Sequence, residues 1–195
     1  MLARFANDHD VRPTPDTGYR FVAHVPEGWR GKRPVVIGAG PCGLFAGLIL
    51  AQMGFRPIIL DRGKPVRERT KDTWGLWRRA ELNPDSNVQF GEGGAGTYSD
   101  GKLYTRSGKK GEPEAVLHEF IAHGAPEAIR WMARPHIGSN LLPKVVEAIR
   151  KTLEKAGGKI RFEARVEKIH TAKGQVSKVE LEGGETLNAD AVVRE

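Results

Sequence analysis

Between residues 35 and 61 an apolar run, a glycine turn, an apolar-faced helix and a second apolar run ending in a carboxylate follow one another without interruption. The residues are Val35-Val36-Ile37-Gly38-Ala39-Gly40-Pro41-Cys42-Gly43-Leu44, continuing to Ile58-Ile59-Leu60-Asp61. No other stretch constrains the fold as much, because strand, glycine turn, helix and strand in this order make a βαβ unit with the context that a GxGxxG motif needs to bind a dinucleotide. Gly38 permits the tight strand-to-helix turn, Gly40 leaves no side chain between main chain and pyrophosphate, and Gly43 lets the helix sit close to the strands. Pro41 fits the first helical turn, and Cys42 beside it belongs to the same phosphate-facing helix start. Asp61 stands about 20 residues on, where an acid accepts hydrogen bonds from an adenosine ribose and discriminates against a 2′-phosphate. Arg62 follows it directly.

Composition limits the alternatives. With 195 residues, 39% hydrophobic and 28% charged, the chain is long enough for a real core and is neither disordered nor fibrous. The longest apolar run, Leu44 to Ala51, is far short of the roughly 20 residues of a membrane span, and the first eight residues hold no apolar signal region. A soluble cytoplasmic protein is expected, with no membrane partner. The single cysteine excludes an internal disulfide framework, no Cys/His spacing suggests a metal, and Cys42 is expected to be a small buried spacer. A net charge of +7 raises the question of nucleic acid, but no recognition motif supports it. Much of the excess lies between Arg62 and Arg79, where seven basic residues face two acidic ones and read mainly as a solvated face.

Along the chain, residues 1–33 read as an extended arm in which Tyr19–Val25 is one strand, and residues 34–195 as a dinucleotide-binding domain. Residues 62–90 read as loop, with Trp74 and Trp77 either stacking on a ligand or, as is favoured, packing against the sheet. A second glycine-rich loop, Gly91-Glu92-Gly93-Gly94-Ala95-Gly96-Thr97, suggests another grip on a large cofactor, and Asp100-Gly101 reads as a hairpin turn. Two short helices are expected over 112–134. His136 is expected to bond to backbone, although it could reach a substrate. A longer helix with Leu142, Val145, Val146, Ile149 and Leu153 on one face is expected to be capped by Ser139 or Asn140 and stopped at Gly157-Gly158. Alternation then gives a strand over 160–166, a second around Val176–Leu181, a turn into Thr186–Asn188 and a final buried strand at 191–193. The fold class is therefore α/β, a Rossmann-like three-layer domain with a parallel sheet and a small antiparallel meander, truncated at its C-terminal end.

Four segments together, Val35–Ala46, Asp72–Trp77, Asn87–Thr97 and Pro135–Gly138, resemble the bacterial FAD-dependent dehydrogenases of uncharacterised substrate. These are part of the glutathione-reductase-like two-dinucleotide-binding flavoproteins. The resemblance implies FAD as cofactor, with Gly38, Gly40 and Gly43 at the pyrophosphate and Asp61 at the ribose. It further implies that the Val166 backbone lies near the adenine, and that Gly93, Gly94, Ala95, Gly96 and Thr97 lie toward the flavin. Members of the family are longer, so the chain reads as the amino-terminal part of a flavoprotein whose C-terminal region completes it. Its partners would be a small-molecule substrate and, as a candidate, NAD(P)H. A plain NAD-binding dehydrogenase domain is the alternative, since the fingerprint and Asp61 fit it equally. A basic nucleic-acid-binding module is the remote one. No residue pattern identifies a catalytic acid, base or nucleophile.

Overall fold

The computed structural model describes residues 10, 18–105 and 112–194. Four short strands form a parallel sheet in the order β3-β2-β1-β7: β1 Val35–Ile37, β2 Ile58–Leu60, β3 Lys159–Arg161 and β7 Val192–Arg194. Val35 is in register with Ile58 on one side and Val192 on the other, so the expected neighbours are adjacent and parallel. Three further strands, β4 Val166–Ala172, β5 Gln175–Leu181 and β6 Thr186–Asn188, make the antiparallel meander. Helices α1 Pro41–Gln52, α2 Val66–Arg79, α3 Glu112–Ala122 and α4 Leu142–Lys155 supply the third layer.

The period of two along each strand divides the core. Val36, Ile59 and Ile160 face the helices and join Leu44, Leu48, Val145, Ile149 and Leu153. Val35, Ile37, Ile58 and Leu60 face the opposite way and pack with Ala164, Val179, Leu181 and Leu187 of the meander side. A sheet buried on both faces needs continuous apolar runs rather than alternation, which is why VVI and IIL read so clearly.

Several expectations need correction. Residues 62–90 are not all loop: α2 occupies Val66–Arg79, and its buried positions are Val66, Arg69, Thr73 and Gly75. The helical spacing is present, but a cation and a hydroxyl occupy it, so no apolar stripe announces it. Trp74 and Trp77 lie on the outer side of α2, 44% and 51% exposed, in edge contact with each other rather than against the sheet. Tyr19–Val25 forms no strand; the Val25 N–H bonds instead to the Met53 carbonyl at the end of α1. Asp100-Gly101 turns no hairpin, because Ala95–Tyr98 is a single 3-10 turn and the backbone of Lys102 bridges to His136. The segment after Pro126 is likewise only a 3-10 turn, Glu127–Arg130. Leu141, not Ser139 or Asn140, sits at the start of α4, without a side-chain cap. The expected strand 160–166 is two elements: the chain leaves the parallel sheet after Arg161, turns through Glu163 at φ +52° and enters β4 at Val166. Cys42, finally, is exposed rather than a buried spacer.

Candidate functional site

The chain places β2 and β3 on one side of β1 and β7 on the other, so the strand order reverses at β1. In open sheets of this kind the crevice beyond the carboxyl ends of the strands at such a reversal is where ligands bind. A cleft of about 800 Å³ opens there, bordered by Ile37 at the end of β1, Leu60 and Asp61 at the end of β2, and Arg194 at the end of β7. One wall comes from Gln89, Phe90, Gly91, Gly94 and Ala95, and the opposite wall from Ala164 to Ile169 at the start of the meander. The volume lies within the range of small-molecule and cofactor sites.

The first glycine loop forms the floor. Gly38 and Gly40 line the cleft with Pro41. α1 begins with Gly40 as its N-cap, with no side-chain cap and no acidic residue in its first turn. An anion at that end would meet the positive pole of a 12-residue helix. Asp61, only 5% exposed, fixes this loop: one carboxylate oxygen accepts the Ala39 N–H at 2.6 Å and the other the Gly63 N–H at 2.7 Å. The carboxylate thus has a local task beside any contact to a ribose.

The second glycine loop lies on the first. The Gly93 N–H donates to the Ala39 carbonyl at 2.8 Å. A Cβ on Gly94, whose φ is +65°, would come within 2.8 Å of the Pro41 ring and 3.5 Å of the Gly40 Cα, so both backbone angle and space require glycine there. Beneath the loop, the guanidinium of Arg69 is wholly buried and donates to the carbonyls of Asn87, Val88 and Glu92 at 2.8, 2.8 and 2.6 Å. Burial lowers its pKa, opposed by Tyr98, Asp61 and Glu92. Glu92 is equally buried, and its carboxylate accepts the Val66 N–H at the start of α2 at 2.7 Å and the Arg150 Nε–H from α4 at 2.8 Å. Burial pushes this carboxyl up from the usual carboxylate range, against the pull of those two donors.

Of the sequence-selected residues, Gly38, Gly40, Pro41, Asp61, Arg62, Gly94, Ala95 and Val166 meet at the cleft. Cys42, Gly43, Gly93, Gly96 and Thr97 do not border it. Gly43 is buried on α1, and Thr97 is buried under the second loop beside Arg69 at 3.4 Å. Arg62 reaches the rim, ion-paired with Asp85 at 2.8 Å and lying 4.6 Å over the Phe90 ring. Arg69, Glu92 and the neighbours of Val166, namely Arg165, Glu167, Lys168 and Ile169, are the residues that sequence reasoning missed. The signal for Arg69 was a basic residue at helical spacing from Val66 and Thr73.

Comparison with known proteins finds likenesses in both sequence and fold. The family of flavin-containing amine oxidoreductases matches residues 118–194. A protein of Clostridium beijerinckii is 43% identical over 161 residues, which cover 83% of this chain and 30% of the relative. The structure of Thermovibrio ammonificans THI4 superposes with a TM-score of 0.52 at 16% identity, over 84% of this chain and 56% of that one, and shows the same fold. HlmI is 19% identical over 88% of this chain and 36% of its own, with a TM-score of 0.44. The chain is similar to flavin-containing oxidoreductases. That likeness supports FAD as the cofactor. The chain spans about 30% of the length of the curated relative it matches. Among the described residues no helix is long and apolar enough to cross a membrane, and no cluster of three or more His, Cys, Asp or Glu side chains is placed to hold a metal.

Proposed function

We propose that this chain is the FAD-binding portion of a flavin-dependent dehydrogenase, with residues 34–195 as the cofactor domain and 1–33 as an arm leading into it. The observation that carries the reading is the contact of two glycine loops, Gly94 against Gly40 and Pro41, over a cleft at the carboxyl ends of β1, β2 and β7. A mononucleotide would need only the first loop. A second backbone wall running along the same cleft suits a longer cofactor, and the start of α1, which carries no side-chain cap and no acidic residue, suits its phosphates.

In this reading Gly38, Gly40 and Pro41 give the pyrophosphate close access to the helix start, and Asp61 orients the ribose while holding Ala39. Val166 and its neighbours border the adenine, and Gly94 and Ala95 border the flavin side. When bound, the flavin supplies the hydride chemistry, and the protein positions it and limits water. The substrate would be a small molecule, reduced or oxidised at the open end of the cleft, with NAD(P)H as a candidate partner, and the setting cytoplasmic. Cys42 is left out of the site, since it does not border the cleft.

The test is a titration of the protein with FAD, NAD and NADP, followed by calorimetry and by the quenching of flavin fluorescence. FAD is expected to bind at one equivalent and to give a resolved, protein-bound flavin spectrum, with NAD failing to displace it. Tighter binding of NAD than of FAD would assign the cleft to a nicotinamide dinucleotide and overturn the proposal.

A further inference from the structure

Arg69 is a buried cation that no direct ion pair among the described residues explains. Its hydrogen bonds run to three carbonyls and the Thr97 hydroxyl, and its guanidinium lies 4.9 Å from the Tyr98 ring centre. The carboxylate that could neutralise it, Glu92, bonds to Val66 N–H and Arg150 instead. Burying a guanidinium among neutral acceptors is unfavourable unless its donors are matched, and here four of its five N–H groups are bonded, from Nε, Nη1 and Nη2.

The peptide joining Glu92 to Gly93 shows what the arrangement achieves. In a trans peptide the carbonyl and the following N–H point in opposite directions. Arg69 takes the Glu92 carbonyl at 2.6 Å from below, and the Ala39 carbonyl takes the Gly93 N–H at 2.8 Å from the other side. Ala39 is in turn held through its own N–H by Asp61 at 2.6 Å. A continuous run of hydrogen bonds therefore links α2, the second glycine loop, the first glycine loop and the end of β2.

We infer that Arg69 is a positioning residue for the cofactor cleft: by fixing the Asn87, Val88 and Glu92 carbonyls it sets the orientation of the Glu92–Gly93 peptide and holds the Gln89–Ala95 wall against Gly40 and Pro41. This rests on the proposed flavin site for its consequence in binding, but not for its structural content. Lysine cannot replace it, because one ammonium group cannot span carbonyls that a planar fork reaches in several directions. Gly91 is matched to the same task. Its φ is +111°, and a Cβ there would stand 2.6 Å from the Arg69 Cδ.

The experiment compares the wild type with Arg69→Lys, Gly91→Ala and Thr73→Val. Thr73→Val serves as a control on the same buried side of α2, where the Thr73 hydroxyl has no hydrogen-bond partner among the described residues. Amide exchange is read by NMR at Gly93 and along β1 and β2, and FAD affinity by fluorescence. Arg69→Lys and Gly91→Ala should each accelerate exchange at Gly93 by about tenfold or more while the strand amides keep their protection, and should weaken FAD binding by about tenfold. Thr73→Val should leave both readouts unchanged. Undiminished Gly93 protection in Arg69→Lys, or a loss spread evenly over β1 and β2, would overturn the assignment, as would failure of both loop variants to fold. If the wild type itself binds no FAD, the proposed function fails, and the exchange measurements still decide the role of Arg69.

Discussion

The two glycine loops do comparable work by different means. The first is held from within its own βαβ unit: Asp61, 22 residues along the chain, accepts the Ala39 N–H, and Gly38 donates to the Leu60 carbonyl at 2.8 Å. The second has short-range bonds of its own, such as the Gly94 N–H to the Gly91 carbonyl at 3.1 Å, but its Asn87, Val88 and Glu92 carbonyls are held by a side chain from outside it. Its shape depends on Arg69 and Val66 of α2 and on Arg150 of α4, with Glu92 as the carboxylate between them. A loop held by its own strands is encoded locally, whereas a loop held by distant side chains exists only once the helices are in place.

The comparison is most directly broken at Asp61. In Asp61→Ala both the Ala39 and the Gly63 N–H groups lose a buried acceptor. At about 1–3 kcal/mol for each orphaned group, unfolding in denaturant should show a loss of about 2–6 kcal/mol, together with loss of FAD binding. A smaller effect than that of Arg69→Lys would mean that the first loop does not depend on its carboxylate.

Next comes Gly94→Ala, which acts where the loops touch. With φ at +65° and the Pro41 ring 2.8 Å from the new methyl, strain of about 1–3 kcal/mol is expected, read as a lower denaturation midpoint. An unchanged midpoint would show that the second loop can lift off the first without loss, and the contact would cease to support a shared site.

Gly40→Ala sharpens the distinction between folding and binding. Gly40 has φ −69°, an ordinary value for alanine, so the apo protein should lose no more than about 1 kcal/mol, the scale of an N-cap change. FAD affinity should nevertheless fall by about tenfold, as the methyl group stands between backbone and phosphate. Equal FAD affinity in mutant and wild type would place the pyrophosphate elsewhere.

The smallest effect is a slope. Burial raises the folded-state pKa of Glu92 above its unfolded value, so the native protein retains a proton that the unfolded chain has released. Stability due to this group is then highest at low pH and declines as pH rises from the ordinary carboxylate value through the raised one. The melting temperature of the wild type minus that of Glu92→Gln should decrease as pH rises above the ordinary glutamate value of about 4. A difference that grows with pH would show that Arg150 and the Val66 N–H outweigh burial.

The parts of the molecule legible in the sequence are those built by apolar burial. The VVI and IIL runs, the stripe from Leu142 to Leu153 and the alternation through the meander each carry a period that matches their element. Together with the glycine fingerprint and Asp61, they determined the parallel sheet, its helices and the place of the cleft. The helix α2 was not legible, since Arg69 and Thr73 stand at the positions where a periodic reading looks for apolar side chains. Only the tertiary structure explains them: the loop above presents carbonyls, and carbonyls removed from water need donors rather than methyl groups. The exposure of Trp74 and Trp77 has the same origin, because the inward face of α2 was already taken by the guanidinium. Sequence by itself thus determined the frame and the first glycine loop, through local backbone geometry and hydrophobic period. Tertiary structure decided how the second glycine loop is held, because hydrogen-bond satisfaction between residues far apart in the chain leaves no period to read.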